Sequence, residues 1–507
     1  MGSQSRNPSA KSIPQEGKEN ESSLIHADVK QMLEGTECHF TWKPFQHGRI
    51  LSTCNFLAKF NDKKIIHQQD NEQFLMVTYD HLLAYEHGRQ GDLSKARDIL
   101  QRVQMEIPNM DGATPEEKEA LQYLTNCNLA NVNFLTGEPD TTREGLLKTK
   151  KYSESPERVK AQILCAKAAA YSEYSKESFS YSLELYREGV ILDPGNYNLH
   201  FGVGMILRRI RRIETVDGIP TEEEETAMRR AVEIKRCHSS LIFLAVSLRE
   251  HAKALAVRKC DHHRITELNE ESLALYIEVY KDPSADGKTL VRCGDGFMKL
   301  LPHTRDLQKA EECFLKAYAL CQSSTMVNHK LGVFYIEGKE DHVLAEKYLS
   351  AAIDITNGNG NFTAHCTYVS LKLDDDPMFD VASEWQIMLE RYPDLSDQIH
   401  LHISQMQYFS QFDPGTGLRH AKDTLDTLLQ MKTAVQKFGY PHRLSQDGQR
   451  LKVKYPRKKF AHKHLLKGLQ YLHGQLPQER VAIENMMERL RKWMDSYVKA
   501  PGNNRQE

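Results

Sequence analysis

The sequence predicts an all-α fold, a tetratricopeptide-repeat superhelix (α-solenoid) with degenerate repeats. Only 18 Pro and 28 Gly punctuate the 507 residues, too few for a turn-rich β architecture of this length. From about residue 25 onward, apolar residues recur at spacings of three and four between short polar connectors, which is typical of helix hairpins. These hairpins repeat at a period of about 34 residues, the length of a tetratricopeptide unit. An ordinary helical bundle with chance matches is the alternative.

Composition narrows the class of protein. Hydrophobic residues make up 40% of the chain and charged residues 27%, which is typical of soluble globular proteins. The 67 Lys and Arg are balanced by 69 Asp and Glu, so any basic site must be local. The sequence has no apolar run long enough for a membrane span, no apolar secretory segment and no CxxC pair among its ten cysteines. We therefore expect a cytoplasmic protein with reduced cysteines and no membrane partner.

The order of polar and periodic segments predicts the domain organisation. Residues 1–24 are almost entirely polar, which predicts a disordered tail. Three tetratricopeptide subdomains are expected after it: an N-terminal one at 25–150, a second at 151–290 and a C-terminal one at 291–507.

The clearest repeat lies in the C-terminal subdomain. Leu331, Gly332 and Tyr335 are followed by Tyr348 and Ala351. The small Gly332 lets the two helices of the unit approach, and Tyr335 fills the space beside it. Less complete copies contain Ala310, Phe314 and Ala317; Leu83, Gly91, Ala96, Leu100, Val103 and Pro108; and Tyr186, Val190 and a turn at 193–196.

The sequence lacks the motifs of phosphate-binding loops, metalloproteases and serine hydrolases, and we predict neither an enzyme nor a cofactor. Gly202 and Gly204 fall inside a predicted helix, where tight helix packing explains them better than nucleotide binding does. His400 and His402 lie two residues apart and therefore on different faces of a helix. We predict no metal site.

Basic residues concentrate in two segments. The first is a helical segment with Arg208 and Arg211 on one face and Arg209 and Arg212 on the neighbouring face. The second runs from residue 450 to residue 467 without an acidic residue. Lysine and arginine bind nucleic-acid backbones by displacing condensed counterions. The RNA-backbone contacts predicted from the two segments are Arg212, Lys452, Arg457, Lys458 and Lys459. A solvated helix face and a linker or nuclear-localisation-like patch are the alternatives.

A short motif carries a family resemblance. Glu37 is followed by Cys-His-Phe-Thr-Trp at 38–42, and Leu-Leu-Ala-Tyr occurs at 82–85. In these residues the chain resembles the interferon-induced proteins with tetratricopeptide repeats (the IFIT family), as a divergent member. Further landmarks occur in the family's order, at 192–196, 227–232, 310–314 and 398–402.

The resemblance implies an interferon-induced antiviral protein of innate immunity. Such a protein holds the 5′ end of single-stranded RNA in a positively charged groove or tunnel at the centre of the superhelix. Arg209 matches the family's phosphate-contacting arginine, Arg292 matches a second pocket arginine, and Lys299 matches another basic residue. His329 and Lys330 match a His-Gln pair that reaches the first nucleotides. The predicted 5′-phosphate site therefore consists of Arg208, Arg209, Arg292, Lys299, His329 and Lys330.

The chain also departs from the family. Ala169 stands where the family has a cap-stacking tryptophan, Glu173 replaces the following lysine, and Cys293 replaces a pocket tyrosine. We therefore expect a 5′-triphosphate to be favoured over a cap. Beyond RNA, the partners implied are further copies of this chain or other family members. The alternative function is a protein-interaction scaffold without RNA binding.

Overall fold

The computed structural model describes residues 26–46, 56–69, 72–176, 178–214, 218–354, 361–376, 378–430, 445–446, 449–450 and 461–498. The tail predicted at 1–24 lies outside the described residues, as do Lys452, Arg457, Lys458 and Lys459. Within the described ranges, the extended segments are β1 (Ser445–Gln446) and β2 (Gln449–Arg450), which pair antiparallel with Ser445 opposite Arg450.

The remaining regular structure is helical, as predicted. The first helices are α1 (26–34), α2 (His39–Trp42), α3 (Phe56–Gln69), α4 (Gln73–Arg89), α5 (Leu93–Glu106), α6 (Pro115–Leu135), α7 (Pro139–Lys148), α8 (Glu157–Tyr174) and α9 (Phe179–Leu192). They are followed by α10 (Tyr197–Glu214), α11 (Glu222–Ile234), α12 (His238–Arg258), α13 (His262–Lys281), α14 (Gly287–Lys299), α15 (Leu307–Leu320), α16 (Thr325–Phe334) and α17 (His342–Asp354). The last are α18 (Phe362–Asp375), α19 (Val381–Arg391), α20 (Leu395–Phe409), α21 (Pro414–Gln430), α22 (Ala461–Gln475) and α23 (Arg480–Val498).

The described residues form two compact units. Unit 1 contains those up to Pro44, together with Phe56–Glu173 and Glu184–Pro194. Unit 2 contains Phe45, Gln46, Tyr174–Leu183 and those from Gly195 onward. The division into three subdomains at 25–150, 151–290 and 291–507 stays a prediction. No helix in the described ranges is both long and apolar enough to cross a lipid bilayer.

Local chemistry explains where helices begin and end. At the start of α6, the Thr114 hydroxyl accepts a hydrogen bond from the Glu117 backbone N–H at 3.1 Å, and the Glu117 carboxylate accepts one from the Thr114 backbone N–H at 2.8 Å. Pro115 occupies the first helical position, where its missing N–H costs nothing. Between α4 and α5, Gly91 has a φ of +91°, a conformation open to glycine, so the predicted turn is confirmed.

Helix hairpins build unit 2. Each of α10, α12, α14 and α16 packs closely on the helix that follows it, and α14 also contacts both α12 and α16. The first helices of successive hairpins therefore lie side by side, as expected for stacked repeats. A continuous apolar core runs through these hairpins, and it includes Met228, Leu268, Phe297, Phe314 and Leu349.

The Gly332 repeat motif has the packing that the sequence predicts. A Cβ placed on Gly332 would lie 2.6 Å from Cγ of Leu349 on α17, so only glycine allows α16 and α17 to approach this closely. Tyr335 is buried beside this crossing and stacks on Tyr348, with ring centroids 5.6 Å apart. Both parts of the prediction are confirmed.

Gly332→Ala should therefore destabilise the protein even though alanine is the better helix former. The added methyl group overpacks the α16–α17 crossing, and we expect the free energy of unfolding to fall by about 1–3 kcal/mol. Thermal and urea unfolding will measure the change. Gly145→Ala in α7 is the matched control, because a Cβ there meets nothing within 4 Å. It should stabilise α7 by up to about 1 kcal/mol, and equal losses in both variants would contradict the crossing argument.

Candidate anion-binding site

The structure places every described residue of the predicted phosphate site on three helices of unit 2. Arg208 and Arg209 lie on α10, Arg292 and Lys299 on α14, and His329 and Lys330 on α16. Between α10 and α14, α12 adds Arg249, which the sequence reasoning missed. We give the name basic row to eight of the cations on these four helices: Arg208, Arg209, Arg211, Arg212, Arg249, Arg292, Lys299 and Lys330.

A cap at its start and close packing against α11 hold α10 in place. The helix is capped by Asn196, whose side-chain oxygen accepts a hydrogen bond from the Asn198 backbone N–H at 2.9 Å. Gly204 fits tightly against α11, since a Cβ there would lie 2.7 Å from Cε of Met228. This contact confirms that Gly204 serves helix packing. Arg211 and Arg212 fall in the last turn of α10, where positive charge interacts favourably with the helix dipole.

Glu250 on α12 binds two arginines of α10. Arg208 donates to both carboxylate oxygens, at 3.1 Å from Nε and 2.6 Å from Nη2. Arg211 donates from Nη2 at 2.8 Å. Burial alone would raise the pKa of Glu250, but the two guanidinium groups lower it to about 2. Glu250 is therefore ionised at neutral pH and fixes α10 against α12.

Arg211 is the buried member of this group. It forms a bidentate pair with Glu224 of α11, with both N–O distances 2.9 Å, and it donates from Nη1 to the carbonyl of Gly218 at 3.0 Å. Glu224 is fully buried and also accepts a hydrogen bond from the hydroxyl of Ser247. Arg211 therefore stabilises the fold, and its burial removes it from contact with a ligand.

Arg209 and Arg292 each contact an aromatic ring. The Arg209 guanidinium lies 5.8 Å from the ring centroid of Phe179, and that of Arg292 lies 4.8 Å from the ring centroid of Phe243. Phe243 in turn packs edge-on against Phe201 of α10 at 5.4 Å. A cation–π contact orients a guanidinium without cancelling its charge. These contacts therefore help to fix the orientation of the two arginine side chains.

Asp295 holds the lysines at the other end of the row. It accepts hydrogen bonds from Lys299 at 2.6 Å and from Lys330 at 3.2 Å. The Arg249 side chain donates to the backbone carbonyl of Asp295 at 3.2 Å. Burial raises the pKa of Asp295, but the neighbouring lysines outweigh that effect and keep it below its usual range.

His329 stands beside Lys330 as a neutral polar group. Its Nε2 lies 3.4 Å from the hydroxyl of Thr367 on α18. Burial and the adjacent Lys330 lower the pKa of His329 to about 4. At pH 7 this ring therefore offers hydrogen bonds rather than charge, as contact with a ribose or a base requires.

The cations of the row are close enough to repel one another. The protein packed around Arg212 and the nearby Arg208 lower the pKa of Arg212, although its side chain is exposed. Desolvation lowers the pKa of Lys299, and Lys330 adds to this effect against the opposing Asp295. Burial and neighbouring positive charge therefore both disfavour the charged forms of Arg212 and Lys299.

The acidic partners of the row were absent from the sequence prediction, but one signal could have found them. Arg208 and Glu250 are 42 residues apart, and so are two further bidentate pairs, Arg229 with Glu271 and Arg236 with Glu278. This separation is the offset between successive hairpins here. A search for opposite charges at that offset would have placed Glu250 beside Arg208.

In unit 1, the Cys-His-Phe-Thr-Trp motif makes packing contacts. The backbone N–H of His39 donates to Oδ1 of Asn128 at 3.1 Å, and Trp42 donates from Nε1 to Glu37 at 2.5 Å. Lys167 donates to the same Glu37 carboxylate at 2.7 Å. The motif thus anchors α2 to α6 and to α8.

Glu173, which stands in place of the family's lysine, is buried in an ion cluster of unit 1. Its carboxylate lies 2.5 Å from Nζ of Lys63 and 3.2 Å from Nζ of Lys59, and it accepts a hydrogen bond from the Tyr79 hydroxyl at 3.3 Å. Ala169 lies one helical turn earlier on α8 and offers no ring for stacking. Glu173 therefore offsets part of the positive charge that Lys59 and Lys63 bring to this part of unit 1.

Comparison with solved structures identifies the fold. The human IFIT1 dimer with PPP-AAAA matches with a TM-score of 0.51 and 15% identity, covering 93% of this chain and 99% of that chain. A monomeric mutant of IFIT1 with Gppp-AAAA matches with a TM-score of 0.53 and 13% identity, covering 93% and 99%. The human IFIT1 dimer with m7Gppp-AAAA matches with a TM-score of 0.52 and 14% identity, covering 92% and 99%.

The likeness is one of structure. No protein-family model matches the sequence, and no curated protein matches it either. At 13–15% identity, the structural neighbours show that the chain has an IFIT-like fold. The predicted tetratricopeptide-repeat α-solenoid and the family resemblance are confirmed at this level.

Proposed function

We propose that the chain is a non-enzymatic, cytoplasmic antiviral protein that binds single-stranded RNA through its 5′ phosphates, with a 5′-triphosphate preferred over a cap. The observation that carries the proposal is the crowding of the basic row. In the row, Arg208 and Arg211 share Glu250, Lys299 and Lys330 share Asp295, and neighbouring cations add to burial in lowering the pKa values of Arg212 and Lys299. Such crowding is unfavourable in the free protein, and a bound polyanion relieves it.

The residues of the row take different roles in this proposal. Arg209 and Arg292 bind phosphate oxygens through bidentate hydrogen bonds, the geometry that guanidinium groups favour. Lys299 and Lys330 add point charges at the other end of the row. His329, neutral at pH 7, contacts the first nucleotides. Arg208 is held by Glu250 and positions α10, while the exposed Arg212 contacts the RNA backbone.

Aromatic rings beside the arginines favour an unpaired strand. Phe201 and Phe243 are partly buried and pack against each other, and Phe243 adjoins Arg292. Proteins that bind single-stranded RNA combine a cationic groove with aromatic faces on which unstacked bases can lie. A duplex would not bind in this way, because its bases remain stacked on one another and cannot lie on the aromatic rings.

The preference for a 5′-triphosphate over a cap rests on Ala169 and Glu173. Solved IFIT1 structures hold RNA with either a triphosphate or a capped 5′ end. In this chain, Ala169 has no aromatic face for a cap base, and Glu173 adds negative charge where the resemblance has a lysine. Both changes disfavour a cap and leave the phosphate contacts of unit 2 intact.

A direct titration tests the proposal. One short single-stranded RNA carrying a 5′-triphosphate, a 5′-hydroxyl or a cap is titrated at two salt concentrations, with fluorescence anisotropy as the readout. We expect the triphosphate form to bind at least about tenfold more tightly than the hydroxyl form, since a hydrogen bond to a charged group contributes about 1.5–3 kcal/mol. We also expect affinity to fall with salt by a slope of about −0.7 per phosphate contacted.

Weak binding that ignores the 5′ group would overturn the proposal in favour of a protein-interaction scaffold. One observation favours the scaffold: Glu250 and Asp295 already bind four cations of the row. Assembly with further copies of this chain or with other family members stays a prediction.

A further inference from the structure

Two histidines and one aspartate meet in the C-terminal part of unit 2, away from the basic row. His402 lies on α20, and His420 and Asp423 lie one turn apart on α21, the helix that packs against α20. Nδ1 of His402 is 3.4 Å from Nδ1 of His420, and His420 Nδ1 is 3.9 Å from Oδ2 of Asp423. The three ligand atoms all lie within 4.8 Å of one another.

The spacing of the two nitrogens is that of a tetrahedral zinc site. Histidine nitrogens bind Zn²⁺ at about 2.0–2.1 Å, so two of them in a tetrahedral arrangement are about 3.4 Å apart. In an octahedral arrangement the same bond lengths would bring neighbouring ligands to about 3.0 Å. The Asp423 carboxylate lies 3.9 Å from Nδ1 of His420 and within 4.8 Å of Nδ1 of His402, so rotation of its exposed side chain toward both nitrogens would complete a three-ligand set.

The surrounding residues hold the imidazole rings in this arrangement. The rings of His402 and His420 meet edge to edge through their Nδ1 atoms, with ring centroids 5.7 Å apart, and Phe409 stacks on His420 at 5.6 Å. His420 therefore has one ring at its edge and another against its face. The buried side chains of Ile403 and Leu425 belong to the apolar core that packs α20 against α21. A site whose ligands are fixed before binding costs little ordering entropy when the ion arrives.

We propose that His402, His420 and Asp423 bind one divalent cation of the Zn²⁺ class through two Nδ1 atoms and one carboxylate oxygen. Two imidazoles with one carboxylate suit zinc, whereas magnesium and calcium prefer oxygen ligands throughout. Three protein ligands leave the fourth position to water or to an added ligand. The bound ion joins α20 to α21. This inference does not depend on RNA binding by the basic row.

The proposal departs from the expectation that the sequence contains no metal site, and that expectation stays untested. That expectation paired His402 with His400, which instead packs edge-on against the ring of Phe362 at 5.4 Å. The partner of His402 is His420, 18 residues later on the next helix. No local motif links residues at that separation, so the hairpin had to be seen before the site could be recognised.

Calorimetric titration of ZnCl₂ into the full-length, chelator-stripped chain tests the site. We expect one ion per chain, and Co²⁺ in place of Zn²⁺ should give the intense visible absorption of a tetrahedral complex. Loss of a residue that merely supports a metal ligand weakens binding by about 10–100-fold. We therefore expect His420→Ala and Asp423→Asn to weaken binding at least about tenfold.

Asp423→Asn separates loss of a metal ligand from loss of the fold. Asparagine has nearly the same shape as aspartate, and the side chain is 44% exposed, so the variant should fold normally. Circular dichroism of the metal-free variants should match that of the parent chain. His263→Ala is the matched control, because His263 is 86% exposed and pairs with Glu267 on its own helix. It should bind zinc as the parent chain does. Absence of stoichiometric zinc binding, or equal affinity in the parent chain and Asp423→Asn, would overturn the proposal.

Discussion

Replacing Arg209 by glutamate is expected to abolish binding of 5′-triphosphate RNA and to leave the helical circular dichroism unchanged. The side chain lies against Phe179 on the basic row, where the reversal removes one phosphate contact and adds repulsion. The lost charge-assisted bond alone is worth about 1.5–3 kcal/mol, and the repulsion adds to it, so affinity should fall at least about a hundredfold. Anisotropy titration with the triphosphate RNA measures the loss.

The matched control is Arg230→Glu on α11. Arg230 is exposed and pairs with Glu233 on its own helix, away from the basic row. This reversal changes the net charge by the same amount, so it separates a local site from general electrostatic attraction. It should weaken binding much less than Arg209→Glu does. Affinity retained in Arg209→Glu would remove the residue from the site, and equal losses in both variants would show that the attraction is non-specific.

The sequence was sufficient to identify the cations of α10 but not their environment. Arg208, Arg209, Arg211 and Arg212 fall within one helical turn and a half, so their division between two faces follows from the period of the helix alone. The structure confirms that Arg208 and Arg211 share a face, because both bind Glu250. The two arginines differ in how deeply they are buried, and that depends on how α11 and α12 pack against α10. No local sequence pattern shows that α11 covers Arg211.

The fold was predictable for a related reason. A hairpin contact such as that of Gly332 with Leu349 joins residues on consecutive helices, so its pattern is short and repeats along the chain. Contacts between different hairpins, such as that of Arg249 with Asp295, depend on the offset between repeats. That offset is 42 residues for Arg208 and Glu250, longer than the predicted period of about 34. Because the repeats are irregularly spaced, pairs between hairpins could not be found from the predicted period.

Replacing Arg211 by methionine should destabilise the protein more than any other single change considered for this surface. The guanidinium is the buried partner of Glu224 and also contacts Glu250. Methionine fills much of the volume but leaves the fully buried Glu224 without its counter-ion. Breaking a buried ion pair in this way costs about 3–5 kcal/mol. The measurement is the shift of the urea midpoint for unfolding, at unchanged slope.

Arg236→Met provides the comparison, since Arg236 makes the same bidentate contact with Glu278 at the surface, where the two side chains are 56% and 43% exposed. An exposed pair contributes about 0–1 kcal/mol, so this variant should unfold close to the parent chain. Similar urea midpoints for the two variants would show that burial does not determine how much an ion pair contributes to the free energy of unfolding.

Acid should reproduce part of the Arg211→Met effect in the parent chain. Because the folded-state pKa of Glu250 is depressed to about 2, its ion pairs stabilise the fold fully above the ordinary carboxylate pKa of about 4.3. That stability is lost as the pH falls from there toward 2. Arg211→Met lacks one of the two cations that depress the pKa of Glu250, so its unfolding free energy should change less over this interval. An identical pH dependence in both proteins would mean that Arg211 does not control the ionisation of Glu250.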